Sequence, residues 1–223
     1  MLEYPLIASR SVYLHTSPEF AMKKLLAAGM QRIFQIARVF RNGERSAKHH
    51  PEFTMLEWYR TGADWRSLAE ETETFMRAVC GSVVRHGNQE CNLSSPWEYL
   101  SVAEAVERGT GIDLLATAPD PLDPDTNALR FAADAIGVHT DDADNWDDIF
   151  FRIFLERIEP FLGAKVPTVL HSYPASMAAL ARISPEDSRV SDRFEIFVCG
   201  LELANGYGEL TDAAEHRTRF ATM

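Results

Sequence analysis

Hydrophobic and polar positions alternate most clearly between residues 31 and 60, where two apolar runs enclose a highly charged loop. The runs, 33–41 and 53–60, have the two-residue period of β-strands and predict a hairpin. The loop and its edges hold a cluster of polar side chains: Arg41, Glu44, Arg45, Lys48, His49 and His50. An arginine fork matches phosphate oxygens, and an aromatic ring such as that of Phe53 offers a face to a base. The pattern therefore predicts a hairpin that binds a polyanion and stacks an aromatic side chain against a flat ring of the ligand.

Outside the hairpin, helical and strand periods follow one another along the chain. A strand and then a helix are predicted over 11–29, with the helix starting at Thr16-Ser17-Pro18-Glu19 and ending at Gly29. Further helices are predicted over 64–80, 98–108, 126–136 and 146–162, and strands over 168–172, 193–198 and 201–210. Hairpin strands with helices around them predict an α+β fold on an antiparallel sheet flanked by helices. We expect a single domain over 1–223, in which 95–140 forms a peripheral helical insertion.

The faces of the hairpin strands follow from their alternation. Phe53, Met55, Glu57 and Tyr59 share one face of the second strand, and Arg41 shares a face with the apolar residues two and four positions before it. A glutamate among aromatic residues is unusual for a core, because carboxylates are seldom buried without a partner. The pattern fits either a ligand site or the solvent-facing side of a strand.

A second group of candidate residues lies in GLELANGYGEL, residues 200–210. A regular strand would place Asn205, Tyr207 and Glu209 on one face and Glu202 on the other. Gly206 and Gly208 would allow a bulge or a close approach of a ligand to the backbone. The stretch fits either a site with one acid for a metal–phosphate group and another for an ammonium group, or an edge strand with solvated acids.

Composition and charge restrict the classes of partner. The chain has 223 residues, 46% of them hydrophobic, and a formal net charge of −11. Stable binding of nucleic acid is not expected, because such proteins usually carry a basic surface. The sequence contains no apolar run of membrane-spanning length and no signal peptide, and the three cysteines are odd in number and far apart. We therefore expect a cytoplasmic protein with no disulfide framework, and no histidine spacing that suggests a zinc site.

A resemblance to a known family rests on separated blocks that together cover nearly the whole chain from residue 11 to 220. These blocks are TSPEFAMKKLL, FRNGERSAKHHPEFTMLEWYR, HSYPASMAALARIS, RFEIFVCGLELANGYGELTDA and RTRF. They resemble the lysine-type subclass of class II aminoacyl-tRNA synthetases. Within that subclass they are more similar to the branch of lysyl-tRNA synthetase paralogues that attaches β-lysine to elongation factor P. The resemblance implies the class II catalytic fold, ATP and Mg²⁺ as cofactors, and activation of (R)-β-lysine or lysine as an acyl-adenylate.

The resemblance also implies roles for individual positions. Arg41 would hold the α-phosphate during adenylate formation, Phe53 would stack adenine, and Glu202 would act with Arg41 as the catalytic pair. The ATP-binding set implied is Arg41, Asn42, Gly43, His50, Phe53, Glu202 and Leu203. The amino-acid pocket implied is Ser17, Pro18, Glu19, Glu57, Tyr59, Asn205, Tyr207 and Glu209. Glu202 and Glu209 are the implied metal ligands, and the acids of the pocket suit a dication of the lysine type.

The chain departs from the family pattern at a few places. An acid of the second family motif is replaced by Gly43, with Glu44 one place later. The pattern of the first and third motifs, which build the dimer and bind the γ-phosphate, is lacking, so we expect an incomplete, truncated catalytic domain in which a homodimer is possible. Two alternatives stay open: the catalytic core of a lysyl-tRNA synthetase, and an inactive nucleotide-binding remnant.

Overall fold

The computed structural model describes residues 13–222, with side chains up to residue 220, as two compact units that divide after residue 63. The first unit consists of a helix, α1 (Glu19–Ala27), and two antiparallel strands, β1 (Arg32–Phe40) and β2 (Glu52–Arg60). The predicted helix and hairpin are therefore confirmed. The strand predicted before α1 is wrong for residues 13–18, which form no regular element, while its first residues, 11 and 12, lie outside the described part.

The second unit contains the remaining elements in the order that follows. They are α2 (Trp65–Cys80), β3 (Val83–His86), β4 (Gln89–Asn92), β5 (Glu98–Ser101), α3 (Val102–Thr110), α4 (Thr126–Ala135), α5 (Trp146–Ile153), β6 (Thr168–Pro174), β7 (Val190–Val198), β8 (Leu201–Tyr207) and α6 (Ala213–Thr222). A π-helical turn, Phe154–Ile158, and a 3₁₀ turn, Glu159–Phe161, continue α5. The helix predicted over 146–162 thus changes geometry before Pro160, which cannot donate a helical hydrogen bond.

The main sheet has the strand order β5-β6-β7-β8. β6, β7 and β8 are antiparallel, as predicted, whereas β5 pairs with β6 in parallel. The helix predicted over 98–108 is wrong in its first turn, because Glu98–Ser101 is the strand β5 and only Val102 starts the helix. Ser101 and Glu104 form a reciprocal capping box that fixes this start.

The two faces of the main sheet carry two different cores. On one face Leu170 and Phe197 pack with apolar residues of α3, α4 and α5, and on the other Phe194 and Ile196 pack with α2 and β4. Much of the first core comes from 95–140, for example Leu100, Val106 and Leu129, all of which are buried. This burial differs from the peripheral position that the sequence predicted for the segment.

Candidate active site

The predicted site residues fall into two groups, one in each compact unit. In the first unit, Glu57 of β2 is the centre of a hydrogen-bond network. Ser17 Oγ donates to Glu57 Oε2 at 2.7 Å, and the Tyr59 hydroxyl donates to Oε1 at 2.6 Å. Ser17 Oγ also accepts from the backbone N–H of Glu19 at 2.9 Å, so the serine supports the start of α1 and orients Glu57 at the same time. The helix start predicted at Ser17 is thus confirmed, and its place in an amino-acid pocket stays a prediction.

The other residues of this unit that were predicted to line the pocket lie at the first turn of α1. Pro18 is the residue that precedes the helix. The Glu19 carboxylate forms an ion pair with Lys23 one turn later, with 2.6 Å between Oε1 and Nζ. The network of Ser17, Glu57 and Tyr59 thus lies beside a second carboxylate at the same helix start. Of these two carboxylates, that of Glu19 is already paired with a cation, whereas that of Glu57 accepts from two neutral hydroxyls and suits a cationic ligand group better.

The nucleotide residues predicted in the first unit surround the end of β1. The Arg41 guanidinium carbon lies 5.5 Å from the centroid of the Phe53 ring. The register of the two strands places Phe53 opposite Val39, which shares a face with Arg41 in the predicted alternation. The Arg41 guanidinium also lies 3.8 Å from the carboxylate of Glu44. The structure therefore brings Arg41 and Phe53 together as a partly exposed cation beside an aromatic ring, which is a combination that suits recognition of a phosphate and a base.

Asn42 and Gly43 form the turn after β1, and Gly43 adopts a φ of +84°. This backbone conformation is unfavourable for a residue with a Cβ atom, so the acid that the family pattern has at this place would be strained here. The contact between Glu44 and Arg41 supplies an acid from the next position. His50 lies before β2, where its Nδ1 is 2.9 Å from the carbonyl oxygen of Glu52.

In the second unit, a β-bulge changes the face on which Glu202 lies. β8 pairs Asn205 with Glu195 and Ala204 with Ile196, but Glu202 with Phe197, so that Leu203 is the extra residue. Glu195 and Phe197 are two positions apart in β7 and lie on the same face of the sheet. Because paired residues share a face, Asn205, opposite Glu195, and Glu202, opposite Phe197, lie on that face too. The prediction that Glu202 faces away from Asn205 and Tyr207 is wrong, because it assumed an uninterrupted alternation.

Sequence reasoning missed a buried polar network on this same face. The Glu195 carboxylate accepts from the Tyr173 hydroxyl at 2.6 Å, from an Arg193 nitrogen at 2.7 Å and from Asn205 Nδ2 at 3.3 Å. The Arg193 guanidinium also lies 4.5 Å from the centroid of the Tyr173 ring. Burial and the neighbouring Glu195 raise the pKa of Tyr173 well above its usual value, so the phenol stays a donor. The sequence contained one signal of this network, namely an arginine and a glutamate two positions apart within an otherwise apolar strand.

A cavity of about 160 Å³ opens beside this network. Its lining consists of Ala178, Ala179, Leu180, Arg193, Asn205 and Tyr207. Two predicted pocket residues, Asn205 and Tyr207, are thus brought to one cavity. Glu209 lies beyond the end of β8. There its backbone pairs in antiparallel fashion with that of Ala181, which follows the residues that line this cavity.

One donor on this sheet face suits a hard cation. Glu202 presents an exposed carboxylate, the donor type that Mg²⁺ prefers, whereas both oxygens of Glu195 are already bonded to Tyr173, Arg193 and Asn205. Mg²⁺ commonly binds through one or two carboxylates together with substrate phosphates and water. Within residues 13–222, no group of three or more His, Cys, Asp or Glu side chains is arranged to hold a metal. The same described part contains no helix of the length and apolarity that a membrane crossing requires.

Comparison with known proteins identifies the family. The family model for class II tRNA synthetases (D, K and N) matches residues 3–223, a range that runs through both compact units. The chain is 42% identical over 212 residues to proteins named elongation factor P–(R)-β-lysine ligase from Klebsiella pneumoniae (strain 342) and Salmonella arizonae. The alignment covers 94% of this chain and 59% of each of these relatives, so the chain spans well under two thirds of their length. Together with the arginine–phenylalanine hairpin and the polar face of β7 and β8, the match shows that this chain belongs to the class II tRNA synthetase family.

Proposed function

We propose that this chain belongs to an ATP-dependent ligase that activates (R)-β-lysine, or lysine, and transfers it to a lysine side chain of elongation factor P. The single observation that carries the proposal is the identity of 42% to ligases of that name, over 94% of the chain. We further propose that the protein acts in the cytoplasm and that residues 1–223 are part of one catalytic domain. In the first step the substrate carboxylate attacks the α-phosphorus of ATP and pyrophosphate leaves. In the second, the acceptor amine attacks the acyl carbon and AMP leaves.

Arg41 and Phe53 are the proposed nucleotide residues. The Arg41 guanidinium would neutralise charge that develops on the α-phosphate, and the Phe53 ring would stack adenine. The contact of 5.5 Å between them supports a shared ligand, since both groups lie at one end of the hairpin. His50, Asn42 and Gly43 line the turn beside them, and Leu203, the bulge residue of β8, is half-exposed and remains a proposed nucleotide contact.

Glu202 is the proposed ligand of Mg²⁺. Bound Mg²⁺ would neutralise charge on the phosphates and orient them. The bulge at Leu203 supports this role, because it places the exposed Glu202 on the same face as Glu195. Glu195 is held by three protein donors, so its orientation is fixed before any ligand binds. The second predicted metal ligand, Glu209, remains a proposal that rests on the family resemblance.

Acidic and amide side chains would select the amino acid. Glu57, oriented by Ser17 and Tyr59, would receive an ammonium group of the substrate. Glu19, which is paired with Lys23, stays a proposed pocket residue that rests on the family resemblance. Asn205, Tyr207 and Glu209 are the proposed pocket residues of the second unit. Two acidic positions suit a substrate with two ammonium groups better than one with a single charge.

The experiment that tests the proposal is calorimetric titration with non-hydrolysable β-lysyl- and lysyl-adenylate analogues. Binding that prefers the β-lysyl analogue supports the ligase. Preference for the lysyl analogue, together with salt-dependent binding of lysine tRNA, would support a lysyl-tRNA synthetase core instead. Absence of binding to either analogue, with retained binding of ATP, would support an inactive nucleotide-binding remnant.

A further inference from the structure

The cavity beside Asn205 has one wall made of backbone, and this wall contains a strained residue. We call residues 178–181 the wall loop. Ala179 within it has a φ of +47°, in the left-handed region where a Cβ atom makes the backbone unfavourable. Ala178, Ala179 and Leu180 line the cavity. Such a conformation persists where the surroundings enforce it, and strained residues of this kind are frequent at ligand sites.

The group that holds Ala179 comes from α6, the last helix. Arg219 Nη1 donates to the carbonyl oxygens of Ala179 and Ala181, each at 2.8 Å. The guanidinium therefore joins the carbonyl groups of the two residues that flank Leu180. Its other edge is paired with Glu215 one turn earlier on the same helix. The Arg219 side chain is only 20% exposed, so the bonds lie where water competes weakly.

Further bonds tie the wall loop and the residue before it to the segment after β8 and to β7. The backbone N–H of Leu210 donates to the carbonyl of Leu180 at 3.0 Å, and Arg193 Nη1 donates to the carbonyl of Met177, the residue before the wall loop, at 3.1 Å. Arg193 also contacts Glu195, whose carboxylate binds Asn205. The wall loop is thus fixed on one side by the polar network and on the other by Arg219.

We infer that Arg219 is a positioning residue of the amino-acid site: by bonding the carbonyls of Ala179 and Ala181 it holds the wall loop in the shape that receives the aminoacyl part of a lysine-type adenylate. The nature of this ligand rests on the proposed function. The two alanines leave room in the cavity, and the left-handed Ala179 sets the direction of the backbone there. This role accounts for the RTRF block at residues 217–220, to which neither the sequence nor the proposed reaction assigns a task.

The test compares Arg219 with a neighbouring arginine of the same helix. Arg217 is exposed, and its Nη1 donates to the carbonyl of Ala213 within α6. We expect Arg219→Ala to weaken binding of the lysyl- or β-lysyl-adenylate analogue at least tenfold, and Arg217→Ala to change it less than twofold. Equal affinities of the Arg219→Ala variant and the parent chain would overturn the inference.

A second substitution separates wall positioning from simple anchoring of α6. Glycine adopts the left-handed conformation without steric cost, so Ala179→Gly should restore most of the affinity lost in Arg219→Ala when the two are combined. If the double variant binds as weakly as Arg219→Ala alone, Arg219 does not act through Ala179. Should Arg219→Ala fail to fold, as judged by circular dichroism, Arg219→Lys, which keeps the charge but not the planar fork, takes its place.

A measurement without ligand keeps this inference distinct from the proposed function. The amide of Ala181 donates to the carbonyl of Ala178, and that of Arg182 to the carbonyl of Gly208. Hydrogen exchange of these two amides should accelerate at least tenfold in Arg219→Ala and not in Arg217→Ala. If the parent chain binds neither analogue, the proposed function fails and the exchange result alone decides whether Arg219 holds the wall loop. Unchanged exchange would overturn the inference in that case.

Discussion

The hydroxyl of Tyr173 donates a 2.6 Å hydrogen bond to the Oε2 atom of Glu195, across the adjacent strands β6 and β7. Arg193 and Asn205 donate to the other oxygen of the same carboxylate, which is buried. A carboxylate bound through both oxygens has one orientation available to it. The Glu195 side chain is therefore ready to orient Asn205 before a ligand binds.

Replacing Tyr173 with phenylalanine should destabilise the protein, because Glu195 Oε2 would lose its donor inside the core. We expect a loss of about 1–3 kcal/mol in the free energy of unfolding, measured by urea titration. Tyr99→Phe is the matched control, since the Tyr99 hydroxyl is buried and makes no hydrogen bond within the described residues. Equal effects of the two substitutions would show that the bond to Glu195 adds no stability.

Arg41 should contribute to nucleotide affinity far more than its neighbour Arg38. Arg41 lies beside Phe53, whereas Arg38 pairs with the exposed Glu52. We expect Arg41→Ala to weaken Mg-ATP binding roughly 10- to 100-fold in calorimetric titration, as the loss of a charge-assisted bond implies. Arg38→Ala should change it less than twofold, because exposed ion pairs contribute little. A similar loss in both variants would point to general electrostatic attraction rather than a specific phosphate contact.

His171 should make the protein less stable in mild acid. Burial and the nearby Arg66 lower its pKa from 6.5 to about 4, despite the opposing effect of Glu104, and its ring stacks on Trp65 at 4.9 Å. Between pH 4 and 6.5 the unfolded chain therefore binds more protons than the folded one. The contribution of neutral His171 is complete above pH 6.5 and declines as the pH falls towards 4.

The measurement is the urea midpoint as a function of pH. His171→Asn should flatten the curve between pH 6.5 and 4, relative to the parent chain. His139→Asn is the control, because the side chain of His139 is largely exposed. Carboxylates with lowered pKa values, such as those of Asp64 and Asp144, lose their stabilising contribution mainly below pH 3.8, outside this window. An unchanged slope in His171→Asn would contradict the assignment.

The three cysteines should differ sharply in reactivity. Cys80 is exposed, while Cys91 and Cys199 are buried in one core, and burial raises the pKa of Cys91 to about 11. Because the thiolate is the reactive form, iodoacetamide at about pH 8 should modify Cys80 alone in the folded protein. Mass spectrometry should find one adduct in buffer and three in concentrated urea. Adducts on Cys91 or Cys199 in the folded state would show that this core opens readily.

Local features of the sequence were sufficient for the elements whose signals are short-range. The hairpin of β1 and β2 follows from two alternating runs and one polar loop, and its registration confirms that Val39 lies opposite Phe53. The start of α2 follows in the same way, because Asp64 caps it through the backbone N–H of Ser67. Each of these features depends on residues close together in the chain.

Elements that depend on distant partners were not predictable in this way. Glu98–Ser101 is a strand because β6, which begins 70 residues later at Thr168, offers it an edge, although its sequence also fits the helix that follows. The polar network around Glu195 likewise required residues from three strands to meet.

The sequence by itself determined the family and the hairpin with Arg41 and Phe53, and it predicted a set of candidate residues for the proposed chemistry. Only the tertiary structure decided which of these residues share a face. Alternation assigns a side chain to a face only while the ladder of hydrogen bonds is unbroken, and the bulge at Leu203 breaks it. That single extra residue brings Glu202 to the side of Asn205, because the pairing of β8 is fixed by β7 and not by its own sequence.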